Sequence, residues 1–466
     1  MADNICNMSD PISSLSHEQL VALVIELQKE IQFLKEQLAK ATKTSANSSK
    51  RPSSDIVKPK KHKRSRKKLK QGAQQGHPKH ESPLKLQDAD KTVDYRLACC
   101  PRTGARLTPM ADLEPKVRLQ YELVEKPIEL TAHLAHPFWC ERCRKIHWAE
   151  LPKPVRKGGI AGARLSAFIA IIKGGSHAST TSTQKILSQL GAPLATGTIC
   201  KIRNKASAAL DAPYTELLEA LPNQSFLNID ETGHKDQGDQ FWNWCFVTEA
   251  FTLFRLAEKR SSAVLTDVLG TKCAATLGSD FYGAYRKYIK QAPVTIQFCM
   301  AHLIRELKFI AESTTQTIAN YGKRLLDLLK KIFQLIHRRE DLGEERFQKK
   351  MRKLQRLFLQ TATRSQAGGD AAKMVKRFKQ FGKDYFTFVA QPGIDPTNNA
   401  AERAIRFCVI DRKVTQGTRG LKGRNWCERI WSTMATCAQR NINAFDFIAT
   451  AVACYFNDAP APSLLE

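Results

Sequence analysis

Between residues 225 and 299 the chain alternates short apolar runs with helical spacing, and that order restricts the possible folds more than any other feature of the sequence. SFLNID (225–230), FWNWCFVT (241–248) and FTLFRLAE (251–258) are rich in aromatic and β-branched residues, and the tight connection between the last two suits a hairpin. SSAVLTDVLG (261–270) has helical spacing with Gly270 as a stop signal. AATLGSD (274–280) reads as a fourth strand, FYGAYRKYIK as a helix and VTIQFC (294–299) as a fifth strand, followed by the helix HLIRELKFIAE.

The order β-β-β-α-β-α-β predicts an α/β core of ribonuclease-H-like architecture, in which the first and fourth strands are neighbours. Asp230 and Asp280 end those two strands, so their carboxylates are expected to meet in space. A third acid stands in PTNNAAERAIR (396–406), where Asn398 or Asn399 can cap a helix that carries Glu402 and Arg406 on one face. A single Asp at a strand end is ordinarily a turn residue. Three acids in these elements and this order instead suit two Mg²⁺ (or Mn²⁺) ions about 3.5–4 Å apart, which require hard carboxylate oxygens and serve phosphodiester chemistry.

The flanking segments point to a polyanionic partner. The 466 residues carry a formal net charge of +28, which favours nucleic acid or an anionic membrane surface. No apolar run approaches about 18 residues, so a membrane span is not expected, and the N-terminus lacks the basic-then-apolar pattern of a secretory signal. The 13 cysteines are odd in number and mostly single, which suits a reducing cytosol rather than a disulfide framework. Between Lys50 and Lys79 twelve Lys/Arg face one acid, Asp55. Within that run Lys60, Lys61, Lys63, Arg64, Arg66, Lys67 and Lys68 would collect phosphates without reading sequence.

Residues 15–40 show an apolar seam, Leu20, Val24, Leu27, Ile31, Leu34 and Leu38, at heptad spacing that suits a short self-associating coiled coil or an amphipathic helix packed on its own protein. Residues 93–155 contain Cys99-Cys100 and Cys140-Glu-Arg-Cys143; a CxxC on a turn suits tetrahedral structural Zn²⁺, with Cys140, Cys143, Cys100 and either His147 or Cys99 as the ligand set. Thr103 stands where a second cysteine of the first pair is expected, so the alternative is a ribbon that has lost its metal. Thr181–Leu190, GAPLA and Thr196–Ala208 read as helix, turn, helix, with Lys201 and Arg203 placed to meet DNA. The stretch 311–390 reads as a basic α-helical insertion bordering DNA, or as solvated outer faces. RKVTQGTRG (412–420) offers Arg412, Lys413 and Arg419 in a glycine-containing loop suited to phosphates.

These segments resemble the transposases of IS66-type bacterial insertion sequences. The resemblance rests on DETGHKDQGDQFWNW (230–244), SDFYGAY (279–285), CMAHLIREL (299–307), NNAAERAIR (398–406) and RKVTQGTRG (412–420), in that order, and runs over nearly the whole chain. It implies that Asp230, Asp280 and Glu402 are the metal-binding DDE triad of DNA cleavage and strand transfer, and that Cys299 and His302 support the site. It implies double-stranded DNA (element ends and target) as partner, a homodimer or higher oligomer, accessory proteins of the same element, and a cytoplasmic, nucleoid-associated location. The sequence departs from the family at the first cysteine pair and at His234 and Lys235, where Trp and Arg are more frequent. A ribonuclease-H-like nuclease or resolvase, and a non-catalytic DNA-binding descendant of a transposase, are the competing readings. The expected division is a coiled-coil helix (1–45), a basic linker (46–92), a zinc-ribbon-like unit (93–155), a helix-turn-helix-like unit (156–222), the first part of the core (223–310), the helical insertion (311–392) and the last part of the core (393–466).

Overall fold

The computed structural model describes residues 16–41, 85–97, 101–106, 118–121, 123–366 and 368–466. The basic segment from Lys60 to Lys68 and the pair Cys99-Cys100 lie outside the described residues. Contacts group the chain into two compact units, one of residues 61–131 with 190–192 and the other of everything else. In the smaller unit the described residues carry one 3-10 turn, Leu86–Asp88, and a turn in which Thr103 Oγ1 accepts from the Ala105 amide at 3.4 Å.

The larger unit begins with the helix His17–Ala41, opened by a capping box in which the Gln19 amide donates to Ser16 Oγ and the Ser16 amide to Gln19 Oε1. Its seam residues Val24, Leu27, Ile31 and Leu34 are all about half exposed. A two-stranded ribbon follows, β1 (Pro137–Cys140) against β2 (Lys145–Trp148). The helices Thr180–Gln189 and Thr196–Ala209 form the predicted helical pair, and the C-terminal helix Ala444–Asn457 returns to pack on Ala163–Gly175 and Thr196–Ala209.

Five strands make the central sheet: β3 (Phe226–Asp236), β4 (Asp239–Val247), β5 (Thr252–Ala257), β6 (Thr276–Ser279) and β7 (Thr295–Phe298). Their spatial order is β5-β4-β3-β6-β7, antiparallel across the first three and parallel from β3 to β7. The first and fourth strands of the sheet are therefore neighbours. The first strand is longer than its apolar run: it continues past Asp230 to Asp236 because Gln237 and Gly238, with φ of 53° and 98°, form the two-residue turn that pairs Asp236 with Asp239.

The free edge of β5 is closed by one helix. Leu421–Gln439 presents Glu428, Ser432 and Thr436, each four residues apart, and these accept from the amides of Leu256 (2.7 Å), Phe254 (2.9 Å) and Thr252 (3.2 Å). Alternate strand amides face outward and every fourth helix residue faces one way, so a single helical stripe satisfies the edge that would otherwise pair with another chain. The insertion is helical, with Gln316–Ile336, Glu344–Thr363 and Gly369–Phe381 burying Leu325, Leu329, Ile332, Met351, Phe358 and Phe378. Lys323, Arg324, Lys330, Lys331, Lys349, Lys350, Arg352, Lys353 and Arg356 are exposed on these helices.

The outer end of the β3–β4 hairpin is pinned by residues 416–420. The Thr418 amide donates to Lys235 O (2.9 Å) and the Gln237 amide to Thr418 O (3.0 Å). Buried Asp236 accepts from Thr418 Oγ1 (2.7 Å), the Gly420 amide (2.7 Å) and the Arg424 guanidinium. A Cβ on Gly417, where φ is 89°, would stand 2.1 Å from Lys235 O, so the loop docks here only with glycine. His234 is buried against Thr418 (Nε2 to Oγ1, 3.2 Å), so it is not a surface group for DNA. Burial and then the charge of Arg412 push its pKa down to about 4, against an opposing pull from Asp236. An unfolded histidine takes up its proton near pH 6.5, so between that pH and about 4 the unfolded state holds the extra proton and stability declines as the pH falls. His234→Gln should therefore flatten the pH dependence of unfolding across this window, by up to about 3 kcal/mol. Urea denaturation at pH 4.5 and pH 7.5 measures it, and equal pH slopes for parent and variant would acquit His234.

Candidate functional site

Asp230 lies on β3, and Asp280 directly follows the parallel neighbour β6. The β3–β6 ladder pairs Leu227 with Leu277 and Asn228 with Gly278, and each aspartate lies two residues beyond that last pair. Neighbouring strands lie about 4.8 Å apart, and the alternation of β3 puts Asp230 on the face that carries Asn228. Gly278 permits this closeness, because a Cβ there would lie 2.6 Å from Asn228 Oδ1. Asp280 Oδ1 accepts from the Tyr282 amide (3.0 Å), which turns the chain into the helix Gly283–Tyr288, and Asp230 Oδ1 accepts from the Glu231 amide (2.9 Å).

Glu402 comes from a distant part of the chain, in the first turn of the helix Asn399–Thr415, which packs on β3 and β4. Its placement depends on four bonds at the start of that helix. Asn398 Nδ2 donates to Ile229 O (2.8 Å), and the Asn398 amide donates to Cys299 Sγ (3.1 Å). The Cys299 amide donates to Ser279 O (2.8 Å), and the Met300 amide to Pro396 O (2.9 Å). Ile229 and Ser279 are the residues immediately before the two aspartates. Asn398 and Cys299 thus stitch both strand ends to the start of the Glu402 helix. Asn398 does occupy the cap position, yet its side chain makes no capping bond, being committed to Ile229. Burial pushes the Cys299 thiol up to about 11, so this cysteine is a neutral packing and acceptor group at physiological pH.

Glu402 Oε1 accepts from Arg305 Nη2 at 2.9 Å and lies 3.5 Å from His302 Nδ1. The ligand atoms of Cys299, His302 and Glu402 fall within 4.8 Å of one another. Arg406 is exposed, and the arginine on Glu402 is Arg305, from the helix Met300–Ala311. The sequence signal that marks Arg305 is its spacing of three from His302, which puts both on one helical face. A second group missed from sequence lies beside Asp230. Buried Glu231 accepts from Arg260 Nε (2.6 Å) and from the Tyr285 hydroxyl, and the Arg260 guanidinium sits 3.7 Å over the Tyr282 ring. An apolar strand gives no hint that an acid on its inner face has partners 29 and 54 residues away.

The basic candidates are dispersed. Lys201, Lys413 and Arg419 are exposed, Arg203 is half-buried and donates to Asn204 Oδ1 (2.8 Å), and Arg412 Nη1 reaches Thr232 Oγ1 (3.4 Å) on β3. Lys205, beside them in sequence, is committed to the carbonyls of Lys157 and Gly158. On the β1–β2 ribbon, Cys140, Cys143 and His147 bring their ligand atoms within 4.8 Å of one another, with Cys143 Sγ 3.1 Å from His147 Nε2. The turn is closed by the Arg144 amide donating to Cys140 O (2.8 Å), with Arg144 at φ 51°. Amides at Cys143, its thiol, and the Arg142 amide hold the Cys140 pKa below its usual value, which favours the thiolate a soft cation needs. All ten cysteines among the described residues are unpaired.

The donor sets differ in kind. Asp230 and Asp280 offer carboxylate oxygens, whereas Glu402 groups with the Cys299 thiol and the His302 imidazole; two buried amide oxygens, Asn228 Oδ1 and Asn398 Oδ1, have no hydrogen-bond partner. Hard donors of this kind fit Mg²⁺ or Mn²⁺, while the thiols and imidazole of the ribbon fit Zn²⁺.

A family model described as the transposase IS66 family matches residues 158–425, more than half of the chain. The chain belongs to the IS66 transposase family. That match takes in β3 to β7, all three acids and the helical insertion. Residues 9–83 match a family of unknown function. An uncharacterized protein of Sinorhizobium fredii is 23% identical over 410 residues, which is 79% of this chain and 72% of that protein. Among the described residues no helix is long and apolar enough to cross a membrane.

The stitching by Asn398 has a direct consequence. Asn398→Ala leaves the buried Ile229 carbonyl without its donor and should cost about 1–3 kcal/mol of stability. Asn398→Asp keeps the shape but cannot donate, so it should cost as much or more. Equilibrium unfolding of both variants measures the bond, and an aspartate variant as stable as the parent would dismiss it.

Proposed function

We propose that this transposase cleaves DNA at the ends of its insertion sequence and joins the freed ends to target DNA, with Asp230, Asp280 and Glu402 as the acids of a ribonuclease-H-like core. The observation that carries the reading is that Asp230 and Asp280 each lie two residues past the last pair of the parallel β3–β6 ladder, with the Glu402 helix bonded to the residue before Asp230. Two divalent ions, Mg²⁺ or Mn²⁺, held by these carboxylates would supply Lewis-acid stabilisation of the attacking and leaving oxygens. Hydrolysis forms a bond from a water oxygen to phosphorus and breaks the bond to the 3′ oxygen, leaving a 3′-hydroxyl and a 5′-phosphate. That hydroxyl then attacks a target phosphodiester, so one phosphorus–oxygen bond replaces another and no external energy source is needed.

The chain's own groups hold the acids in place for this work. Arg305 fixes the Glu402 carboxylate, and the Glu231–Arg260–Tyr285 cluster stiffens the strand beside Asp230. Double-stranded DNA is drawn by the exposed cations of the insertion helices and by the basic segment around Lys60 to Lys68. The half-exposed seam of the first helix suits pairing of two copies, which would hold two DNA ends together. Accessory proteins of the same element and a nucleoid-associated, cytoplasmic location accompany this reading.

Asp230→Asn, Asp280→Asn and Glu402→Gln each remove a ligand charge at nearly constant volume. Each should lower cleavage of labelled element-end duplex in Mg²⁺ by about a thousandfold or more, with DNA binding little changed. Substantial cleavage by any one would remove that acid from the triad. For the parent protein, joined products mark a transposase, hydrolysis without joining marks a nuclease or resolvase, and binding alone marks a protein that has lost its chemistry.

We also propose that Cys140, Cys143 and His147 contribute to a structural Zn²⁺ site. Elemental analysis should find one equivalent of zinc, lost in both Cys140→Ser and Cys143→Ser. A zinc-free protein whose ribbon remains folded would instead be a ribbon that has shed its metal.

A further inference from the structure

A cavity of about 440 Å³ opens between two parts of the larger unit that are remote in sequence. One wall belongs to the helices before the sheet and carries Lys173, Thr180 and Arg203; the other belongs to the loop and helix after Glu402 and carries Thr418, Arg419 and Lys422. Asp411 is the one acid among its lining residues. That carboxylate is buried and already engaged, 3.4 Å from His177 Nδ1 and accepting from Thr415 Oγ1 at 3.2 Å. Four cations therefore face one engaged acid. Lys173 is drawn inward, donating to Thr180 Oγ1 (3.1 Å), and burial together with the nearby charge of Arg203 depresses its pKa. Like charges crowded in a partly desolvated cleft are costly without an anion between them.

We propose that this cavity receives one backbone phosphodiester of bound DNA, gripped by Lys173 and Arg203 from one wall and by Arg419 and Lys422 from the other. The volume lies within the range of about 300–1,000 Å³ typical of sites for small molecules, enough for a phosphate with its sugar. Arg419 and Lys422 are exposed at the rim while Lys173 and Arg203 are half-buried, so an extended strand can pass the mouth and turn one phosphate inward. The loop bearing Arg419 is the same one pinned to the β3–β4 hairpin through Thr418 and Asp236. A phosphate in the cavity would join the helical unit to the strand that bears Asp230, so binding of DNA by one part would fix its position against the other. The inference rests on the reading of this chain as a DNA-processing protein.

Ethylation interference on the full-length protein with terminal-repeat duplex tests it. In the parent, ethylation of one particular phosphate should block binding. In Lys173→Ala/Arg203→Ala, and separately in Arg419→Ala/Lys422→Ala, interference at that same position should disappear, and the salt slope of binding should fall by about one. Lys173→Arg/Arg203→Lys, which keeps the charges, should retain the interference and so separates loss of contact from loss of folding, and Lys290→Ala, an exposed cation elsewhere, should leave the pattern unchanged. If the two pairs affect different positions, or none, the shared site is overturned while DNA binding stands. If the parent does not bind DNA at all, both this inference and the broader reading fall. Stabilisation by inorganic phosphate through the same four cations, with no shared DNA position, would assign the cavity to a free anion and overturn the proposal.

Discussion

The parallel pairing of β3 with β6 is the constraint on which the rest of the site depends. The two strands are separated by a hairpin strand, β5 and a helix, so their pairing closes a long loop that only a buried sheet repays. Leu227 and Leu277 are fully buried in that pairing, and the ladder ends two residues before both aspartates. The burial that holds the strands together stops just short of the two candidate acids. Gly278 sets how closely the two strand ends approach, since any side chain would press on Asn228.

Around that pair the structure spends its polar groups on joining segments that are distant in sequence. Asn398 reaches 169 residues back to Ile229, Ser432 reaches 178 residues back to Phe254, and Asp236 reaches 188 residues on to Arg424. In each case a backbone or carboxylate group that would otherwise be buried without a partner is satisfied by a side chain of a late helix. The consequence is one continuous body in which the Glu402 helix, the capped edge of β5 and the glycine loop all refer to the same sheet. Such bonds are short and directional, so they set position more sharply than the apolar core beneath them does.

Charge works differently. The acids and the cations beside them are localised and partnered, as in Glu402 with Arg305 and Glu231 with Arg260. Among the described residues, exposed cations spread over helix faces and rims, where they attract a polyanion over a distance without specifying its sequence. In the cavity under Arg419, by contrast, cations from two walls converge.

Much of this was legible in the amino-acid sequence. Strand and helix order from residue 225 to 311 follows from local apolar runs and stop signals, because each element is short and its pattern is complete within itself. The residue types of the three acids, the CxxC turn with His147 four residues on, and the basic amphipathic insertion are likewise local facts. Only the tertiary structure decided that β3 runs six residues beyond Asp230, that Asn398 binds a strand rather than capping its own helix, and that Arg305 rather than Arg406 meets Glu402. It also decided that His234 is buried beneath a loop from residue 418, and that Lys173 and Lys422 share a cavity. The physical reason is range. Periodicity and capping act over a few residues and are written in the chain, whereas a hydrogen bond or ion pair across 100 or more residues has no local signature, because what selects the partner is the approach of two surfaces that exist only once the sheet has formed.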